Sequence, residues 1–570
     1  MSRSCVKITP EFFSINHLQY YTETRYAFLQ DVPPEQAQDF TGGLPSAVRP
    51  DSDRELRSDQ RQEIKKRRAY LATAAMEMIY GNYQEALDAL DYAEQGYRKY
   101  FTREHISRLE ISSFRALLLL LNSMPEEAEG LCNRVLSILC EDYGYGHPLA
   151  LATTSIMVHV QLKEWKFSAA LKTAESLATK TIESLGQDAM LAFHNKTLLA
   201  AAEYYMAKYR NAETDLKSVL PVFERNLEAE HPDTFQYQCL LARIHLKGGR
   251  FDAAEKRLVP ALETKLREYS ESSGSGGAPQ VIEHKLGNFL NIFVKNPREA
   301  FAGNTPHPQF LDALTVYADI LFQQKSESEF AISIHRAVWS QQKAVLGDTH
   351  LDTVTTLCRH AVLTRETHQD LETYDKVREK LKAVTKARRV TLGKSHVATL
   401  SSIREDLMLG FSIKSLRSPG PSSKDEKNID YFQGMEPLEW SRHIHNTHES
   451  RLGRYHPETI QSRLGLFKLQ LSKGFNYPTE ESMNSILFGT GELRDECPIF
   501  ALSTDCNISF IIYELGHDDF AKELATRATR TIDLYLEHGD IRARKYVERL
   551  RDENLGFIDY LNSRLKEAKR

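Results

Sequence analysis

The sequence predicts an all-α fold, a right-handed α-solenoid of stacked helix pairs, and three residue series sharing one period predict it. Ala86, Ala128, Ala170, Ala212 and Ala254 are each 42 residues from the next. His105, His147 and His231 fall on the same step, with Ala189 in the remaining slot. An aromatic holds a third phase at Tyr83, Phe167, Tyr209 and Phe251, with Pro125 as the exception. A period of this length marks a supersecondary unit that cannot bury its apolar face alone, so copies must stack in series.

Residues 231–266 show the unit. His231-Pro232-Asp233-Thr234 opens a first helix, where the missing N–H of proline leaves no bond unmade. Tyr237, Leu240, Leu241 and Ile244 follow helical spacing, and Gly248-Gly249 breaks the helix. Phe251 starts a second helix with Ala254, Leu258, Leu262 and Leu266 on one face. The recurring alanine lies near the start of this helix B. A second small series, Ala74, Ala116, Val158, Ala200 and Ala242, lies twelve residues earlier on helix A. Small residues facing each other allow a close helix crossing that larger side chains would force apart.

A chain of 570 residues is too long for one compact core. The periodicity divides it into an N-terminal extension at 1–60 and five regular pairs at 61–269. A flexible insert at 270–306 begins with Ser270-Glu271-Ser272-Ser273-Gly274. Its glycines form no phosphate-binding loop, because no GxxxxGK[ST] pattern follows. The repeat resumes over 307–410, opening at His307, His350 and His396. A linker at 411–435 contains Pro419-Gly420-Pro421. Degenerate helices fill 436–570, opening again at His456, turning near Gly516 and ending in a charged capping helix from Ile541 onward.

Charge is balanced, 73 basic against 78 acidic side chains, which argues against a dedicated nucleic-acid binder. Seven cysteines without CxxC spacing read as reduced thiols, which points to a cytoplasmic protein with a nuclear location as the second choice. Lys65-Lys66-Arg67-Arg68 would serve such a nuclear address. The N-terminus has no signal-peptide pattern. The apolar run Ala116–Leu121 is too short to cross a bilayer, so no membrane partner is expected.

Three groups of side chains invite a chemical reading. His443, His445 and His448 suggest a metal site, but only His445 and His448 share a helical face, and His448-Glu449 is not HExxH because Leu452 holds the second histidine slot. The recurring histidines His147, His231, His307, His350, His396 and His456 stand at repeat openings, so a structural role at helix starts is expected. The basic run from Lys376 to Lys394 reads as a solvated face. No catalytic residue, metal ligand or cofactor is assigned, and an enzyme is the less favoured reading.

The opening Leu452-Gly453-Arg454-Tyr455-His456-Pro457-Glu458-Thr459 and the turn Gly81-Asn82-Tyr83-Gln84-Glu85-Ala86 resemble the tetratricopeptide repeat in its 42-residue, kinesin-light-chain-like form, over residues 62–535. The resemblance implies a concave face lined by A helices that binds peptides and proteins. Arg68, His159, His194, Gln236 and Arg243 are the partner-binding candidates on that face. Kinesin light chains carry an asparagine ladder there; the matching positions are Leu71, Ser113, Ser155, Thr197 and Cys239, and none is asparagine. The implied function is a non-catalytic protein-interaction scaffold or adaptor whose occupant is a short helix or an acidic peptide. The alternative is an enzyme or small-molecule sensor with a pocket enclosed by the array. The oligomeric state is left open.

Overall fold

The computed structural model describes residues 58–568 except 188, 227–231, 273–284, 302–304, 325–326, 369, 417–435, 473–476, 515 and 539–542. Among the described residues all regular structure is helical. Five pairs come first: α1 (Ser58–Ile79) with α2 (Tyr83–Tyr100), α3 (Ile106–Leu121) with α4 (Pro125–Asp142), α5 (Pro148–Lys163) with α6 (Phe167–Leu185), α7 (Met190–Tyr205) with α8 (Tyr209–Asn226), and α9 (Pro232–Lys247) with α10 (Phe251–Ser272). After a lone helix α11 (Leu286–Lys295) come five more: α12 (Pro308–Gln324) with α13 (Ser328–Leu346), α14 (Leu351–Thr367) with α15 (Leu371–Thr391), α16 (Val397–Leu416) with α17 (Pro437–Leu452), α18 (Pro457–Leu471) with α19 (Tyr477–Leu493), and α20 (Pro498–Glu514) with α21 (Asp518–His538). Helix α22 (Arg544–Ala568) packs on α20 and α21 at the end. We number the helix pairs 1 to 10 in this order.

Both small-residue series sit where the two helices of a pair cross. All five marker alanines and all five helix-A partners have 0 % exposure. Tyr83, Phe167, Tyr209 and Phe251 are buried beside them, one helical turn away.

The histidines act as N-caps. Nδ1 of His105, His147, His307, His350, His396 and His456 each accepts the backbone N–H two residues on, at 3.1–3.2 Å. This satisfies a donor that the first turn of a helix leaves without a partner. Ala189, in a histidine slot, makes no side-chain cap. His231 lies outside the described residues.

Two boundaries differ from expectation. The supposed flexible insert contains α11 and a short 3-10 turn at Glu299–Phe301. Phe289, Phe293 and Phe301 are at most 1 % exposed; Phe289 stacks on Phe293, and Phe301 meets both of them and Phe310 edge-on. The glycine- and serine-rich start hid a strongly apolar helix behind it. Because α10 packs directly on α12, the repeat stack continues past this segment. The first residues of the linker expected at 411–435 are helical, since α16 runs on to Leu416; the rest of that segment lies outside the described residues.

The second five pairs wind back onto the first five. The opening of pair 6 lies on the A–B turn of pair 1, where a Cβ at Gly81 would stand 2.4 Å from Pro308 Cδ. The opening of pair 7 lies on the turn of pair 2: His350 Nε2 donates to Leu121 O at 2.8 Å, and Leu351 N–H donates to Ser123 Oγ at 3.0 Å. Pair 8 meets pair 3 through His396 and Trp165, 6.3 Å apart between centroids. Pair 9 meets pair 4 through His456, whose Nε2 donates to Tyr205 O at 2.9 Å. Pair 10 meets pair 5 at Gly249, where a Cβ would stand 2.6 Å from Ile499 Cγ1. The array thus closes along a seam in which five openings rest on five turns.

Candidate functional site

The seam brings A helices of both superhelical turns to a shared inner face, where Lys163 of α5 reaches Asp352 of α14. In the first half the contacts between A helices are buried and uncharged. Ser113 on α3 meets Thr153 on α5 at 2.9 Å, and Ser155 on α5 donates to Asn195 on α7 at 2.8 Å. Ser113 and Ser155 occupy two of the asparagine-ladder positions and are 0 % exposed, so they join the packed interior and do not face a ligand.

In the second half, each A helix is tied to the next by ions. Arg243 on α9 reaches Asp312 on α12 at 2.6 Å, and Asp319 on α12 takes Arg359 of α14 at 2.8 Å. Arg365 on α14 binds Glu405 on α16 at 2.8 Å, and Arg404 on α16 binds Glu458 on α18 at 2.9 Å. The spacing is helical. Asp312 and Asp319 are seven residues apart, as are Asp352, Arg359 and Glu366, so each set lines one face. Across the seam, Lys163 on α5 pairs with Asp352 on α14 at 2.9 Å.

Lys163, Tyr205, Arg243, Asp312 and Asp352, from five different A helices, share one electrostatic neighbourhood. They reach water and are nevertheless surrounded by protein. Asp352 is held down to about 2: burial opposes this, and the charges of Lys163 and His350 outweigh it. Asp352 in turn raises Lys163. Glu458 is likewise held at about 2, against burial, by Arg404 and two histidines. Lys247, further along α9, is lowered by burial and by Arg359. Tyr204 and Tyr205 are pushed up by burial.

The candidate residues divide. His159 is half-buried on α5, one turn before Lys163. Burial and the Lys163 charge bring its imidazole down to about 4. His194 is buried at 5 % exposure and falls to about 3 through burial and the neighbouring His159, so both rings are neutral at pH 7. His194 therefore belongs to the packed interior more than to the open face. Gln236 and Arg243 lie two turns apart on one side of α9, both half-buried. Arg68 lies on α1, and its side chain is outside the described residues. Asp312, Asp319, Asp352, Arg359 and Lys163 were not singled out from the sequence; their seven-residue spacing on A helices was the available signal.

The remaining candidates are structural. His445 Nε2 accepts from Arg463 at 3.0 Å, and His448 is 0 % exposed with Nδ1 3.3 Å from Glu458 O. Among the described residues no group of His, Cys, Asp and Glu is arranged to hold a metal ion. Within the basic run, Lys376 pairs with Glu372, Lys382 with Glu379 and Arg378 with Asp406, while buried Arg388 donates to Ala398 O at 2.9 Å. Burial pushes the Cys132, Cys239, Cys497 and Cys506 thiols up to about 12, so these remain protonated. No helix among the described residues is long and apolar enough to cross a membrane.

Residues 191–266, covering pairs 4 and 5, match the tetratricopeptide repeat family. No curated protein matches the chain. Solved structures that resemble it include a Rap protein complexed with competence and sporulation factor, at 10% identity over 80% of this chain and 99% of that one, TM-score 0.41. Another is a circular tandem repeat protein with novel repeat topology and enhanced subunit contact surfaces, at 11% identity over 90% of this chain and 99% of that one, TM-score 0.12. Likenesses this distant carry no argument; the fold rests on the helix packing and on the repeat match.

Proposed function

We propose that the protein is a non-catalytic scaffold that holds a segment of a partner protein on the inner face, against the A helices. The observation that supports this most is the two ion pairs between A helices, Arg243–Asp312 at 2.6 Å and Lys163–Asp352 at 2.9 Å, which lie within electrostatic reach of each other and of Tyr205. Charged groups kept on an inner face are costly to desolvate unless something polar meets them. A solenoid inner face with spaced polar side chains suits an extended or helical peptide.

The chemistry of the occupant follows from the pairing. Arg243 and Lys163 already hold Asp312 and Asp352. A purely acidic segment would bind these cations only by displacing two carboxylates into a space with no new counter-charge. A segment carrying both basic and acidic side chains exchanges one set of pairs for another without leaving a charge behind. This reading refines the expectation of an acidic partner.

Affinity purification from the native cell, followed by pull-down with Arg243→Gln and Asp312→Asn, tests it. Both single variants should lose most of the captured partner while keeping the helical content of the parent. Undiminished capture by both would remove the inner face from consideration.

A further inference from the structure

The seam differs along its length. Over pairs 4, 5, 9 and 10 it is a core: Ala207, Tyr209 and Ala212 of pair 4 share one buried apolar cluster with Ile460 and Phe467 of pair 9 and with Cys497 and Ala501 of pair 10. Phe251 of pair 5 packs edge-on against Tyr546 of α22 at 4.4 Å, and Tyr546 Oη donates to Asp252 at 2.6 Å. Over pairs 2, 3, 7 and 8 the seam is mainly polar. Single hydrogen bonds from His350 and Leu351 and the exposed Lys163–Asp352 pair span it. The apolar contacts there are separate patches and not one cluster: Trp165 on Leu351, Leu392 and Ala398, Val397 and Leu452 on the core of pair 3 where α17 packs on α6, and Leu346 on the core of pairs 1 and 2. A cavity of about 560 Å³ opens between the two turns at this point, lined by Glu129, Glu164, Lys166, Lys394 and Arg451 among others.

Gly81, Ser123, Trp165, Ala207 and Gly249, again 42 apart, all have positive φ, between 58° and 81°. Three are not glycine and carry the strain of a left-handed backbone. Ser123 and Trp165 keep side chains that touch the opposite turn across the polar half of the seam. In this conformation Ser123 accepts a hydrogen bond from the opposite turn.

We propose that the seam is a clasp: its pair 2–3/pair 7–8 half parts and recloses as a latch, while its pair 4–5/pair 9–10 half stays shut as the hinge, so that a partner segment reaches the inner face from the side. The side entry rests on the inner face being the binding surface; the parting of the latch does not. Elements held by few buried apolar contacts and single hydrogen bonds open locally far more often than a fused core.

Hydrogen–deuterium exchange on the full chain, without any partner, tests the clasp. In the parent, peptides covering 119–125 and 346–354 should exchange faster than those covering 205–212 and 495–502. His350→Asn retains a capping side chain at the start of α14 and deletes the donor to Leu121 O. It should raise uptake at 119–125 and 346–354 by about fivefold and leave the hinge peptides unchanged. Ser123→Gly relieves the left-handed strain and removes the acceptor for Leu351 N–H, so it should also raise uptake at 346–354 while α3 and α4 stay as protected as before. Equal exchange at both halves in the parent, or variants that move both halves together or neither, overturns the clasp and leaves partner capture by the inner face untouched.

Discussion

The two halves of the seam are made from the same unit, a repeat opening laid on a repeat turn, yet one half is welded and the other buttoned. At the C-terminal half the docking residues are Tyr209, Cys497, Phe251 and Tyr546, all buried, with His456 donating to Tyr205 O beside them. At the N-terminal half His350, Ser123, Lys163 and Asp352 are joined by one hydrogen bond or ion pair each, beside a smaller apolar contact of Trp165, Leu351, Leu392, Ala398, Val397 and Leu452. The free energy of burial grows with apolar area, whereas a hydrogen bond exchanged with water is worth little. A solenoid thus sets the strength of contact between its own superhelical turns through a few side chains per repeat, without altering the helices.

The largest expected break in this comparison comes from the hinge. Tyr546→Ala removes a buried ring packed on Phe251 and should cost about 3 kcal/mol, read as a fall in the first thermal unfolding transition. Lys163→Ala, across the latch, should cost less than about 1 kcal/mol, because the pair is partly exposed. If both variants lower the transition equally, the two halves do not differ.

The turn glycines give a matched pair of intermediate size. Gly249→Ala and Gly81→Ala carry the same left-handed cost, roughly 1 kcal/mol, and each drives a Cβ into the opposite turn. At Gly249 the obstacle is Ile499 within the hinge; at Gly81 it is Pro308, where pair 1 meets pair 6 beyond the latch. The first should therefore lower the unfolding midpoint more than the second. The second should increase the radius of gyration in small-angle scattering.

The smallest effect is set by pH. Burial, together with Lys265 in one case and Arg388, Arg451 and Lys166 in the other, brings His307 and His396 down to about 4 from an ordinary value of 6.5, while the Glu164 carbonyl pulls His396 the other way. Burial also lowers His350 and His456. A group whose folded value is depressed binds its proton less readily when folded. Its contribution is complete above about pH 6.5 and declines as the pH falls toward 4. Protonated Nδ1 can no longer accept the capping N–H. Scattering between pH 7 and pH 5 should show the latch loosening, and a His350→Asn chain should respond less than the parent.

Much of the fold was legible because solenoid packing is local. The marker alanines, the aromatic beside them and the opening histidine each answer to neighbours within one repeat, so the 42-residue step exposes them directly. The histidine's second nitrogen was not legible: its acceptor, Leu121 O or Tyr205 O, lies 229 or 251 residues away. The same holds for the inner face. Arg243 was recognised as an inner-face residue from its place on helix A, but Asp312 and Asp352 become its neighbours only through superhelical curvature.

By itself, then, the order of residues determined what each helix pair is, where it caps and where it turns, since those rest on backbone bonds and side-chain spacing within a few dozen residues. Only the tertiary structure decided that the array returns upon itself, which charges meet inside it and where the closure is weak. Small rotations between successive pairs add up over five repeats, and no local pattern records their sum.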